Sequence, residues 1–278
     1  MSKKEYQLFA ELVEKECGVK LNEELAPLLE TRIMNLMAHL HCHDYDVLYQ
    51  MLRGDTEPEL KTRIIEAVIN HETTWFRDEG LFDLLSEKLF PRLIEEIATG
   101  RRSFIRVWSA ACASGQEPYS VAITFMDCVK KSGHPVRSGA LSILATDISQ
   151  TALEEASGGE YSTQQMSRGM RSYYRKGFFK SSSSGKYQIV DEVRRLVEFL
   201  KLNLLKNDIA ALGKFDIVLC RNVGIYFTSD AREQLYQRLA TSLNRDGALI
   251  LGASEFMADK PGTYRLESYK GTYYYTLT

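Results

Sequence analysis

Three short stretches hold the side chains whose types and spacing could do chemistry. The first runs from Arg106 to Ala122, RVWSAACASGQEPYSVA. An apolar strand, Ile105–Trp108, enters a loop of very small residues (Ser109, Ala110, Ala111, Ala113, Ser114, Gly115), and Gln116-Glu117-Pro118 then opens a helix. Small side chains let backbone approach a ligand closely, and Gly115 tolerates a turn that larger residues resist. Glu117 is an acceptor rather than a phosphate partner, so the loop suits a cationic, nucleoside-like ligand without phosphate. The GxGxxG of dinucleotide sites is missing, which disfavours a nicotinamide-dependent dehydrogenase. A tight strand-to-helix turn with no ligand is the plain alternative.

The second stretch is Leu144-Ala145-Thr146-Asp147-Ile148. An acid at the tip of the next strand, some 30 residues on, is where nucleotide-binding sheets grip ribose hydroxyls. Alternatively, Asp147 caps a helix beginning near Ser149. The third stretch is Phe215 to Phe227, a buried strand ending in Arg221-Asn222, with Tyr226 on the apolar loop beyond. Such polar groups are expensive to bury idle, although a structural polar network is an alternative. A fourth run, His71 to Asp78, places Trp75 and Phe76 between polar residues, as in a lid, an interdomain seam or a core anchor. The cluster HLHCHD (His39, His41, Cys42, His43) mimics zinc spacing, since His39 and His43 can share a helical face. A closed site needs more ligands, so this is read as a helix end and no metal is expected.

The elements that must position these residues come in two textures. Residues 1–95 carry a period near 3.6: Tyr6, Phe9, Leu12 and Val13, then Leu25, Leu28, Leu29, Ile33 and Leu36. Asp44-Tyr45-Asp46 offers N-cap oxygens for a helix through Leu52. Further helices are expected over Glu59–Ile69 and, in one long piece, Glu79–Ile97. Beyond Arg102, apolar runs (Phe104–Trp108, Leu141–Ala145, Val197–Leu202, Phe215–Cys220, Ala248–Gly252, Thr272–Leu277) alternate with helices over Pro118–Lys131, Thr151–Ala156 and Asp230–Leu243. That alternation predicts a mostly parallel α/β sheet, whose ligands bind beyond the strands' carboxyl ends. Phe178–Lys180 and Tyr187–Val190, joined by a serine turn, read as a β-hairpin inserted at 178–196. The expected division is a helical N-terminal domain with a linker helix (1–95) and an α/β domain (96–278).

The formal net charge of −2 argues against nucleic-acid binding. The charge is unevenly spread: Met1–Phe90 has 10 Lys/Arg against 18 Asp/Glu, and the remainder 25 against 19. No run is long and apolar enough to span a membrane, and the first residues lack a signal's apolar core. Five irregularly spaced cysteines suggest reduced thiols in the cytoplasm.

Taken together, these stretches resemble the CheR-type chemoreceptor glutamate methyltransferases, which depend on S-adenosylmethionine. The marks are T-x-x-F-R-D (Thr73, Phe76, Arg77, Asp78), WSA-x-C-x-x-G-x-EPYS from Trp108, ATDIS from Ala145 and CRNV-x-IYF from Cys220. The resemblance implies an all-α N-terminal domain and a Rossmann-like methyltransferase domain with a small antiparallel β insertion. It implies cofactor contacts from Thr73, Arg77, Glu117, Asp147, Asn203, Leu204, Arg221 and Asn222, with His71 standing where the family has asparagine. It also implies catalytic roles for Tyr226, beside the transferred methyl, and for Arg77. The partners would be cytoplasmic helices of chemoreceptors, met by a monomer. The family's arginine-rich second helix is reduced here to Arg32, with His39 and His41. The short serine-containing hairpin predicts no need for a receptor's C-terminal pentapeptide. The alternative function is a SAM-binding scaffold that has lost catalysis.

Overall fold

The computed structural model describes the chain apart from residues 54–57, 70–71, 135, 138, 183–184 and 258–261, and apart from the side chains of residues 25, 28, 58, 59, 67 and 68. Helix α1 (Lys3–Cys17) starts at a capping box, in which Ser2 and Glu5 satisfy each other's backbone amides, and stops at left-handed Gly18. It packs with α2 (Ala26–His39), α3 (Tyr45–Arg53) and α4 (Pro58–Val68) around Phe9, Val13, Ile33, Leu48, Leu52 and Ile64. Burying each such side chain contributes roughly 1.5–3 kcal/mol.

The long helix expected from Glu79 to Ile97 is three pieces: α5 (Glu79–Leu84), a π turn (Leu85–Leu89) and α6 (Phe90–Ala98). Pro91 has no N–H to give to the preceding turn, which accounts for the break in register. Leu81, Leu85, Phe90, Leu93 and Ile94 are buried with β1 (Ile105–Ala110) and α7 (Gln116–Ser132), not with α1–α4. Sequence texture groups this stretch with the N-terminal helices, but its packing places it with the sheet.

The remaining strands are β2 (Leu141–Asp147), β3 (Glu160–Tyr161), β4 (Phe179–Ser181), β5 (Tyr187–Ile189), β6 (Val197–Lys201), β7 (Phe215–Cys220), β8 (Leu243–Leu251), β9 (Tyr264–Tyr269) and β10 (Thr272–Leu277). The remaining helices are α8 (Gln150–Gly158), α9 (Thr163–Ser167), α10 (Ser172–Phe178), α11 (Asp191–Arg194) and α12 (Ser229–Ala240). Seven strands form one sheet in the order β6-β2-β1-β7-β8-β10-β9, parallel from β6 to β8 and antiparallel through β10 and β9. Chain direction across the sheet reverses between β1 and β7, and the carboxyl ends at such a reversal form a ligand crevice. Ala110 pairs with both Thr146 and Cys220, so the loops after β1, β2 and β7 leave the sheet side by side.

Two elements differ from expectation in extent. The inserted hairpin is a three-stranded sheet, β3-β5-β4, because Glu160–Tyr161 joins it; two residues are too short to show alternation in sequence. The helix expected to reach Leu243 ends at Ala240, and Leu243 already belongs to β8. Trp75 fixes the small sheet to the large domain, edge-on to Tyr161 and Phe179 at 4.8 and 5.2 Å.

Candidate active site

The loops after β1, β2 and β7 and the 72–77 segment close around a cavity of about 330 Å³, within the range of ligand sites. Its wall includes Thr73, Arg77, Glu117, Asp147, Asn203, Leu204, Arg221, Asn222 and Tyr226. All the sequence-derived site residues are thus together except His71, which lies outside the described residues. Backbone strain concentrates here. Of the seven described non-glycine residues with positive φ, Phe76, Asp78, Ala111, Ala113 and Asn222 flank this cavity. Such conformations cost on the order of 1–3 kcal/mol each and persist where the surroundings enforce them.

Arg221 is the electrostatic centre, with its side chain 2% exposed. One Nη donates to Glu117 Oε2 at 2.8 Å, and the other to the Asp78 carboxylate and to the Arg77 carbonyl at 3.1 Å. Among the described residues its Nε has no partner. The expectation of a direct cofactor contact therefore changes in kind: most of the Arg221 fork is spent holding Glu117 and the 77–78 turn. Glu117 Oε1 accepts from Ser109 Oγ at 2.8 Å, which aims the carboxylate along the cavity wall.

Both carboxylate oxygens of Asp147 are bonded to backbone, while the N-cap of α8 is Ser149 itself. Oδ1 accepts from the Ser149 amide at 2.9 Å, ahead of the N-cap of α8. Oδ2 accepts from the Ala113 amide at 2.8 Å, locking the small-residue loop. Each oxygen keeps a second lone pair, and the residue still lines the cavity. Asn203 is more committed: its side chain accepts from Leu205 and Lys206 amides and donates to the Glu16 carbonyl. Its own amide and carbonyl are bonded to Asn207. What Asn203 offers a ligand is shape and a spare carbonyl lone pair.

Sequence reasoning missed the N-terminal wall. Val19, Lys20, Leu21 and Arg32 also line the cavity. Arg32, expected on a docking face, instead lies at the cavity and donates to the Ile69 carbonyl at 3.4 Å. Val19 forms an antiparallel bridge with Phe227; Lys20 N–H donates to the Tyr226 carbonyl at 2.7 Å, and Thr228 N–H to the Gly18 carbonyl at 3.1 Å. No local pattern signals a single bridge between Val19 and Phe227, 208 positions apart. Among the described residues, no group of three or more His, Cys, Asp or Glu side chains is arranged to hold a metal.

Two thiols face the cavity, Cys17 and Cys112. Burial, then the Asp147 and Glu117 carboxylates, push Cys112 well above the ordinary thiol value. Burial pushes Cys17 up to about 11. Both remain protonated at neutral pH and are poor nucleophiles.

Comparison with known proteins fixes the family. Residues 4–69 match "CheR methyltransferase, all-alpha domain", and residues 71–273 match "CheR methyltransferase, SAM binding domain". The chain belongs to the CheR methyltransferase family. It is 38% identical over 256 residues to the chemotaxis protein methyltransferase of Vibrio anguillarum, covering 92% of this chain and 90% of that one. It is 35% identical over 262 residues to chemotaxis protein methyltransferase 1 of Pseudomonas aeruginosa, covering 94% and 93%. Among solved structures, PKMT2 from Rickettsia typhi in complex with AdoHcy aligns over 60% of this chain and 25% of that chain, at 17% identity and a TM-score of 0.35, too remote to carry an argument.

As a CheR methyltransferase, the protein uses S-adenosylmethionine as its cofactor. The cavity fits that molecule. Glu117 and Asp147 offer acceptors suited to an ammonium group and a ribose diol, the Ala111–Ala113 loop leaves the backbone close, and no phosphate-binding glycine run is present.

Proposed function

We propose that this CheR-family protein esterifies glutamate side chains of chemoreceptors. The relatives' name, chemotaxis protein methyltransferase, supports this reading. The observation that supports it is that Tyr226 and Arg77 line the same cavity as Glu117 and Asp147. The carboxylates suit the cofactor's ammonium and ribose ends; the hydroxyl and guanidinium suit an incoming carboxylate.

When bound, S-adenosylmethionine supplies a methyl group on a sulfonium, so a carboxylate oxygen forms the new C–O bond as the C–S electron pair returns to sulfur. A glutamate is already ionised at neutral pH, and no general base is needed. The protein's task is alignment, which by itself can supply several kcal/mol of the barrier. Arg77 is half-buried and donates to the Glu72 carbonyl at 3.4 Å, a long bond that its fork can leave to meet an acceptor. Tyr226 can orient one acceptor oxygen with its hydroxyl. Both must hold that oxygen without over-stabilising its charge, because the charge is lost in the transition state.

The partner is an acidic receptor helix. Residues 161–190 carry six Lys/Arg and no Asp/Glu, and α10 buries none of its residues. This stretch abuts the 72–79 segment, where Phe76 stacks on Tyr174 at 4.8 Å. Arg168, Arg171 and Lys186 pair with Glu72, Glu79 and Glu160, and Arg175, Lys176 and Lys180 leave the stretch net cationic, unlike the acidic N-terminal half. The test is transfer of radiolabel from S-adenosylmethionine to chemoreceptor membranes as a base-labile ester. Absence of label despite tight cofactor binding favours a scaffold instead.

A further inference from the structure

The segment that carries Arg221, Asn222 and Tyr226 is gathered from beneath by a residue outside the cavity wall. Glu255, in the connection after β8, is 6% exposed. Its Oε2 accepts from the backbone N–H of Asn222 at 2.5 Å and of Gly252 at 2.7 Å. Its Oε1 accepts from the N–H groups of Val223 and Ile225, both at 3.2 Å. One carboxylate thus satisfies four amides drawn from the ends of two adjacent strands, β7 and β8.

The backbone is shaped for this. Asn222 sits at φ 57°, a left-handed residue that asparagine tolerates and that turns successive N–H groups toward one point. Position 252 is glycine for want of space: a Cβ there would stand 2.6 Å from Glu255 Oε2 and 3.0 Å from the Asn222 nitrogen. A carboxylate has four acceptor sites, and charge strengthens each bond. Glutamine would present an NH2 group to two of the four donors.

The hold reaches Tyr226 through the chain. Tyr226 N–H closes a short turn on the Val223 carbonyl at 3.1 Å, so fixing residues 222, 223 and 225 fixes where that turn ends. The far side is tied to Gly18 and Lys20 of the N-terminal helical unit. We propose that Glu255 is a positioning residue for methyl transfer, holding the 222–226 segment so that Tyr226 meets the acceptor. Glu255 itself touches neither cofactor nor acceptor. This inference rests on the reading of Tyr226 given above.

The test compares full-length wild type, Glu255→Gln, Tyr226→Phe and the double variant. Transfer of radiolabelled methyl to receptor membranes and hydrogen exchange at residues 222–226 are both measured. Glu255→Gln is expected to lower kcat at least roughly tenfold while KM for S-adenosylmethionine moves less than about threefold, as misalignment predicts. Amides 222, 223 and 225 exchange faster, and in the Tyr226→Phe background the same change costs little more, because the two act through one group. If the glutamine variant does not purify, Glu255→Asp enters the same cycle under the same criteria. Unchanged kcat, unchanged exchange, or a loss undiminished in the Tyr226→Phe background overturns the proposal. Failure of the wild type to label receptors refutes the proposed function instead, and the exchange measurement then still decides the hold on the segment.

Discussion

Arg221 Nη1 donates to Glu117 Oε2 at 2.8 Å, so the cation that ends β7 holds the carboxylate that begins α7. Two motifs 104 residues apart are one unit, with Asp78 on its other side. Removing Arg221 leaves the Glu117 carboxylate without its counter-charge, whereas replacing Glu117 leaves Arg221 still paired with Asp78.

Arg221→Met is therefore expected to destabilise the fold by about 3 kcal/mol, the lower end for breaking a buried pair. Glu117→Gln costs less stability and chiefly weakens cofactor binding. Urea unfolding and calorimetric titration with S-adenosylhomocysteine separate the two. Equal stability losses in both variants would count against this division of roles. Arg221→Lys does not rescue, because one ammonium cannot span Glu117 and the Arg77–Asp78 turn together.

Asp147→Ala is expected to weaken cofactor binding about 10- to 100-fold, the loss of one or two hydrogen bonds to a charged group. It also releases the amides of Ala113 and Ser149, so the melting temperature falls with affinity. Asp147→Asn keeps one acceptor oxygen and lies between. Unchanged affinity in the calorimeter for the alanine variant removes the ribose assignment.

Gly18→Ala tests whether the N-terminal helical unit is part of the active site. Gly18 lies at φ 75°, and a Cβ there would stand 2.3 Å from Leu205 Cδ1. Leu205 can turn its tip aside, but a Cβ strains the left-handed backbone of residue 18, and a shift of residues 18–20 moves the bond from Lys20 to Tyr226. The expected result is a kcat several-fold lower with the cofactor Kd little changed. Steady-state kinetics beside a binding titration reads both, and a wild-type kcat means the bridge does not govern Tyr226.

The sheet and most of the cavity wall were legible because the relevant signals are local. Phe215–Cys220 reads as a buried strand by composition and coincides with β7. Glu117 and Asp147 each follow an apolar run, and the topology brings those run ends together. The π turn at Leu85–Leu89 had one local mark, Pro91, which is also compatible with the first turn of a helix and so did not by itself divide the long helix. The strand Tyr264–Tyr269 is a sheet edge with little burial, so its apolar alternation is weak. The structural roles of Glu255, Arg32 and Lys20 were not legible for another reason: each takes its meaning from backbone groups far away in sequence.

The cavity thiols give a prediction in pH. Burial raises Cys17 from 9.0 to about 11 in the folded chain, while an unfolded chain keeps the ordinary value. A group raised on folding contributes stability that is fully present below the unfolded value and lost as pH climbs through the folded one. The window is therefore pH 9 to 11, over which Cys17 accounts for a fall of about 3 kcal/mol in unfolding free energy. Cys112 moves in the same direction, driven by burial and then by the Asp147 and Glu117 charges. Urea midpoints from pH 7 to 11 should be flat to about pH 9 and then decline, with a shallower decline in Cys17→Ala. In native protein at pH 8, iodoacetamide should label half-buried Cys42 well ahead of buried Cys17 and Cys112, read by peptide mass spectrometry. Prompt native-state labelling of Cys112 would show a reactive thiolate in the cofactor cavity, a competing nucleophile that burial and the Asp147 and Glu117 charges are otherwise suited to suppress.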